Sequence, residues 1–249
     1  MQNSQNWKPS KYVLNRKGVL RASRNKSETQ VASRFTIDLS AKLFQKYIPK
    51  NVSGDLLDLG CGKAPLYGIY RKYTNTITCV DWYNSSHSNN YTDIFADLNK
   101  VLPLEAERFD TIILSSVLEH LKDPNLIFSE MNRILRNNGK IILSVPFYYQ
   151  LHEIPFDYHR FTKYGLINLA EKHNFTVTLL EAYGGLPEVY TDVLSRLLVR
   201  FPLIGEYMVQ ILHICSHFIL RFSFGKEFSK KSAENFPLAY FVILKKSNN

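Results

Sequence analysis

Apolar residues recur along the chain in two rhythms, and the switch from one to the other marks its elements. Val31, Phe35, Leu39, Leu43, Phe44 and Tyr47 keep the spacing of one helix face, and Ile48-Pro49 is expected to end that run. Asp55-Leu-Leu-Asp-Leu-Gly60 is a short buried-strand pattern that runs into Gly60-Cys61-Gly62, and Pro65 suits the first turn of a helix over 66–72. Strand patterns follow at 76–80, 111–114, 140–145, 175–181 and 239–245. Between them lie helix patterns at 124–135 and 163–173, a polar loop at 84–90 and the turn Asn137-Asn138-Gly139. Strands alternating with helices over this length predict an α/β fold with a doubly wound sheet, whose ligands bind beyond the carboxyl ends of the strands.

Two regions fall outside that alternation. Residues 1–30 are polar and basic with a few anchors (Trp7, Tyr12, Val13, Leu14, Val19, Leu20) and read as an arm or lid on a core of 31–185. Residues 186–236 form an insert before the last core strand and tail, 237–249. In the insert, Val189, Val193, Leu197, Leu198 and Phe201, then Ile204, Met208, Ile211, Leu212, Cys215, Phe218, Ile219 and Phe222, give one or two amphipathic helices. The default expectation is a helical cap packed on the sheet and on the amino-terminal helix; the sharper one is a membrane-surface or lipid-facing lid, because Arg196, Arg200, Arg221, Lys226, Lys230 and Lys231 flank the apolar surface. Glu206, Gln210, His213 and His217 interrupt 201–222, so it fails as a lipid-spanning helix.

Charge changes this picture only at the ends. The 249 residues carry a net charge of +9, which taken whole suggests nucleic acid. Yet 1–34 holds eight basic residues and one acid, and 221–249 six basic and two acidic, which leaves the middle at −2. Nucleic acid is therefore not expected as a partner; an anionic membrane surface or acidic acceptor is. Three cysteines without a close pair argue against a disulfide framework, and the polar first 30 residues lack a secretory apolar run, so a cytoplasmic location, peripheral to the membrane at most, is expected.

Candidate chemistry sits at the strand ends. Glycines at 60 and 62 let backbone approach a ligand, and Asp81 closes the second strand 19 positions beyond Gly62, where a carboxylate can accept from two ribose hydroxyls. The full G-x-G-x-x-G of dinucleotide sites is absent, and Asp58 two positions before the first glycine disfavours a pyrophosphate while suiting a ligand that carries an ammonium group.

The stretches LLDLGCG (56–62), VDW (80–82), ADL (96–98), FDTIILSSVLEHLKDP (109–124), EMNRILRNNGKIILSVPF (130–147) and HEIPFDYHRFTKYGL (152–166) resemble class I S-adenosylmethionine-dependent methyltransferases, in particular the type 11-like group with an L-E-H-x-x-D-P helix start. The resemblance covers about half the chain, with Ala64 and Asn137-Asn138-Gly139 as its two departures. It implies a Rossmann-like, mostly parallel seven-stranded sheet with an antiparallel last strand, and S-adenosylmethionine as cofactor. It further implies that Asp58, Gly60, Cys61 and Gly62 surround the methionine part, that Asp81 binds the ribose with Trp82 beside the adenine, that Asp97 and Leu98 contact the adenine, and that Ser115 lines the pocket.

Titratable groups crowd the segment after the fifth strand, and His152 is the first choice as general base, with Asp157, His159 and His120 as further catalytic candidates. Asp157, His159 and Arg160 could equally brace the loop. Methyl transfer needs no metal, and His213-x-x-x-His217 lacks an acidic partner, so no metal site is expected. O-methylation of a small-molecule, glycan or lipid-linked acceptor is the leading expectation. C-methylation of a prenylated quinone precursor is the alternative within the class, and a non-catalytic RNA- or membrane-binding module the alternative outside it.

Overall fold

The structure is a computed structural model that describes residues 1–85 and 90–247. Most of the 84–90 loop read from the sequence therefore lies outside the described residues. An antiparallel hairpin, β1 (Tyr12–Leu14) and β2 (Leu20–Ala22), leads to a 3-10 turn over Val31–Ser33 and to α1 (Arg34–Asn51). Then come β3 (Asp55–Leu59), α2 (Tyr67–Tyr70), β4 (Thr76–Asp81), β5 (Ile94–Phe95), β6 (Phe109–Ser115) and α3 (Pro124–Ile134). The chain continues through β7 (Leu135–Pro146), α4 (Lys163–Lys172), β8 (Phe175–Tyr183), α5 (Leu186–Leu198), α6 (Gly205–Ile219), α7 (Ser223–Ser232) and β9 (Ala239–Lys246).

Seven strands form one sheet in the order β5-β4-β3-β6-β7-β9-β8. Pairings β3–β4, β3–β6, β4–β5 and β6–β7 are parallel, while β9 runs antiparallel between β7 and β8. The chain reverses between β3 and β6, the topological switch point at which such sheets open a crevice. Both faces are covered: Leu57, Ile112, Ile141 and Val242 pack with Phe128, Met131 and Leu166 on one side, and Leu56, Ile113, Ile142 and Phe241 pack with Phe44, Ile48 and Tyr12 on the other. Strands buried on two faces read as unbroken apolar runs, which is why these short segments were legible.

Some boundaries differ from the sequence reading. Helix α1 continues past Pro49, because a proline in the last turn removes one bond while Val52 N–H still reaches the Ile48 carbonyl at 3.0 Å. Helix α2 is a single turn rather than the longer helix expected over 66–72. Asn137-Asn138-Gly139 falls inside β7 as an irregularity: β7 pairs with β6 at Leu135 and again from Lys140, and Asn138 takes the left-handed conformation at φ 65°.

Residues 1–30 fold onto the core. Tyr12, Leu20 and Ala22 are buried against α1, and the Trp7 ring lies on Tyr67, where a side chain at Gly68 would strike it. Trp7 Nε1–H also donates to the Ala64 carbonyl at 3.0 Å.

The insert packs on α1, as the default expectation has it, but it docks through polar side chains. Its buried side chains are polar: Glu188, Thr191, Asp192, Ser195 and His213 face inward, with Val209. Thr36 in α1 donates to Asp192 at 2.9 Å, Arg196 is held by the same carboxylate at 2.8 and 2.9 Å, and Ser195 meets His213 Nε2 at 2.9 Å. Val193, Leu197, Phe201, Ile204, Tyr207, Ile211, Ile214, Phe218, Phe222 and Phe224 are exposed, and Leu203 is 95% exposed. Among the described residues no single helix is long and apolar enough to cross a membrane.

Candidate active site

A cleft of about 870 Å³ opens over the carboxyl ends of the parallel strands. Its floor is the turn after β3, where Gly60 (φ 69°) and Gly62 (φ 50°) take the left-handed conformation. A Cβ on Gly60 would lie 2.5 Å from Val117 Cγ2, so only glycine lets the turn pass that close to the loop after β6. At the end of β4, Asp81 is fixed by the N–H groups of Gly62 (2.8 Å) and Trp82 (2.7 Å). Two backbone donors anchor this carboxylate at the cleft wall, and the glycine turn and the acid are thereby built as one unit.

Gly60, Cys61, Gly62, Asp81, Trp82, Asp97, Leu98 and Ser115 all line the cleft. Asp97 accepts from Asn99 N–H and Nδ2 at 3.0 and 3.1 Å through one oxygen, and Trp82 meets Phe156 edge to face at 5.3 Å, an apolar slot of the kind a flat aromatic ligand fills. Asp58 is the exception among the predicted cofactor contacts. It is not among the lining residues but lies buried beneath them, accepting from Tyr70 Oη at 2.8 Å, and burial pushes its carboxyl up to about 7, with Asp81 adding to the rise.

Sequence reasoning missed the opposite wall. Ser27, Glu28, Thr29 and Gln30 line the cleft, and Lys63 in the glycine turn pairs with Glu28 at 3.0 and 3.1 Å. The arm's acid thus ties it to the cofactor turn. Its apolar anchors and its single carboxylate were the available signals.

The titratable cluster forms beside the glycine turn. A 3-10 turn over Leu118–His120 follows β6 and aims Glu119 and His120 into the cleft, while the loop after β7 brings His152 to them. His120 and His152 rings meet at 4.7 Å, and Glu119 Oε1 lies 3.8 Å from His120 Nε2 and 3.7 Å from His152 Nε2. Burial alone would lower the His152 pKa, but the Glu119 and Asp157 carboxylates outweigh it and the net shift is upward. Asp157 and His159 sit behind this wall and do not line the cleft. Asp157 binds Arg160 with both oxygens (2.6 and 2.7 Å) and takes the His152 N–H at 3.0 Å; burial opposes its ionisation, yet these bonds hold it at about 2. It braces the loop. The His159 ring meets Phe161 at 5.4 Å and its Nε2 lies 3.4 Å from the Lys122 carbonyl.

Comparison with known proteins adds a family to this geometry. Residues 57–143 match the family model of a methyltransferase domain, a span that includes the glycine turn, Asp81, Asp97 and the Glu119-His120 pair. No curated protein sequence matches the chain. Among solved structures the chain is similar to the cyclase SpnF (13% identity, covering 86% of this chain and 84% of that one, TM-score 0.53). It is similar also to an S-adenosylmethionine-dependent methyltransferase from Mesorhizobium loti (14% identity, 81% and 95%, TM-score 0.50). A third is phosphoethanolamine N-methyltransferase 2 from Haemonchus contortus (14% identity, 90% of this chain but 58% of that one, TM-score 0.53). At such identities these likenesses speak to the fold, a class I methyltransferase sheet. The residues present fit the cofactor of such a domain: a turn of two left-handed glycines lining the cleft, a carboxylate anchored at the second strand end and an aromatic slot beside it. The match to a methyltransferase domain over residues 57–143, on a sheet of the class I fold, supports S-adenosylmethionine as the cofactor of this cleft.

Proposed function

We propose that the protein transfers a methyl group to a hydroxyl of its acceptor. The observation that carries this reading is the Glu119, His120 and His152 cluster facing the same cleft as the glycine turn and Asp81. A hydroxyl must lose its proton as it attacks, and a group of two imidazoles and a carboxylate is the apparatus for that. S-adenosylmethionine supplies a methyl on a sulfonium, already a good leaving group, so alignment and exclusion of water can supply much of the acceleration. Gly60 and Gly62 hold the amino-acid end, Asp81 the ribose, and Trp82, Asp97 and Leu98 the adenine, while Ser115 lines the space next to the reacting groups.

Calorimetry with S-adenosylhomocysteine tests the cofactor half: Asp81→Ala should weaken binding at least tenfold, and unchanged affinity rejects the assignment. Incubation with S-adenosylmethionine and aqueous or lipid extracts, read by mass spectrometry for products heavier by one methylene, tests the acceptor half. Products whose new methyl is bound to carbon or nitrogen would overturn the hydroxyl reading.

The insert favours a lipid-linked acceptor met at an anionic membrane surface. Its apolar face is turned outward, with Arg200, Arg221, Lys226 and Lys230 beside it, an arrangement that suits acyl chains below and anionic headgroups around. The insert also touches the cleft, since Arg196 stacks on Tyr149 at 4.5 Å and Lys26 pairs with Glu206. The protein should float with vesicles containing phosphatidylglycerol, less so at high salt and hardly at all with neutral vesicles. No flotation with either, or self-association through the same face, sinks the lipid proposal.

A further inference from the structure

We propose that Glu119, His120 and His152 bind a divalent transition-metal cation, contrary to the expectation from sequence that no metal is used. Glu119 is 0% exposed, and neither of its carboxylate oxygens has a hydrogen-bond partner. Burying a carboxylate in this way is strongly unfavourable unless a positive charge or a donor meets it. The surrounding hydrogen bonds decide what can meet it. His120 Nδ1 lies 2.9 Å from the Phe156 carbonyl, which can only accept, so the imidazole proton sits on Nδ1 and Nε2 carries a lone pair; that Nε2 is buried and unpartnered. His152 adds a second imidazole to the same point: its Nε2 faces Glu119 Oε1 at 3.7 Å, while its buried Nδ1, 3.2 Å from an Asp157 oxygen, makes no hydrogen bond. The Glu119 oxygens and His120 Nε2 therefore converge with no hydrogen between them, and His152 Nε2 lies within reach of the same point.

The ligand atoms of the three residues all lie within 4.8 Å of one another. Bonds of roughly 2.0–2.2 Å to an ion between them would need the two imidazoles to swing in by about 1 Å or less. One carboxylate and two imidazoles is a donor set for zinc, manganese, cobalt or iron rather than calcium or magnesium, and three protein ligands leave coordination positions open toward the cleft. The Phe156 carbonyl then acts as an outer partner that fixes the His120 imidazole, and Asp157 holds the His152 backbone N–H.

The ion's use rests on the hydroxyl reading above, while its binding does not. An acceptor oxygen in an open position would have its O–H bond polarised; the proton leaves to water and the electron pair stays on the oxygen, which is then the nucleophile. His152 accordingly acts as a ligand rather than as the base that first takes the proton.

The test uses the full chain, stripped with chelator and titrated with zinc, manganese or cobalt chloride by calorimetry, with visible cobalt bands reporting imidazole ligation. One equivalent should bind, at least 100-fold more weakly in Glu119→Gln and in His120→Ala, while S-adenosylhomocysteine affinity stays within about twofold and certifies the fold of each variant. His152→Ala replaces Glu119→Gln if the latter does not fold. Absence of binding by all three metals, or binding indifferent to these substitutions, overturns the proposal and leaves a proton shared within the cluster. A bound metal with no hydroxyl-methylated product defeats the hydroxyl reading alone.

Discussion

The arm at 1–30 and the insert at 186–236 make an instructive pair. By composition the arm is the polar one, yet its aromatic and aliphatic anchors are pulled into the core and its acid grips the glycine turn. The insert is the apolar one, yet it docks through Asp192, Ser195, Glu188 and His213 and leaves its apolar side in the open. Hydropathy along a helix identifies a face; it does not say what covers that face. A cap that used its apolar side for docking would need no second surface, whereas one that docks through hydrogen bonds keeps its apolar side for something else.

The largest effect expected from this contrast is at Trp7. Trp7→Ala removes the contact with Tyr67 and the bond to Ala64, and should lower stability by about 2–4 kcal/mol in denaturant titrations while weakening S-adenosylhomocysteine binding. Phe218→Ser on the insert should change stability by no more than about 0.5 kcal/mol and yet reduce vesicle flotation severalfold. Equal losses in both variants would erase the distinction between the two regions.

Next comes the polar docking face. Asp192→Ala leaves Thr36 and Arg196 without their shared partner and should cost about 1–3 kcal/mol, with hydrogen exchange in α5 and α6 rising more than in the sheet.

Acidity sets the sheet beneath the cofactor turn against the insert, with opposite signs. Asp58 has a pKa of about 7 in the fold against 3.8 unfolded, so the folded state binds more protons between those values, and its contribution to stability falls as pH rises from about 4 to about 7. Asp58→Asn should remove that slope from pH-dependent denaturant titrations. His213 runs the other way: burial, with help from His217, lowers it to about 4 from 6.5, so its contribution is present above about 6.5 and is lost as pH falls toward about 4. In His213→Gln the insert should lose its acid sensitivity. The smallest effect is at the strap: a double-mutant cycle of Lys63→Met and Glu28→Gln should give a coupling of about 0.5–1 kcal/mol that shrinks with salt.

The sheet and the cofactor turn were legible in the sequence because each is specified locally. A glycine needed at positive φ, an acid closing a strand and an apolar run between turn residues are all short-range signals, and Gly60, Gly62 and Asp81 lie at the cleft where that pattern implied, with Asp97 and Ser115 where the resemblance implied. What escaped depends on contacts distant along the chain. Asp58 looks like a ligand contact until Tyr70 closes over it, and Glu119 shows its place only where both its oxygens are buried beside His152, 33 positions on. The insert's orientation was illegible for the same reason, since it depends on Thr36 meeting Asp192 across 156 residues.

The place of β9 bears on how the chain is made. It follows every other element in sequence, yet it lies between β7 and β8 and pairs with both. As the polypeptide leaves the ribosome, the cofactor half of the sheet has all its strands early, while β7 and β8 keep unpaired apolar edges until residues 239–246 emerge. During that interval the nascent chain presents two open strand edges together with the outward apolar face of the insert. Chaperone dependence and inclusion-body formation should therefore track the delay before the last strand arrives, and slowing translation upstream of residue 239 should lower the soluble yield without altering the stability of the molecules that do fold.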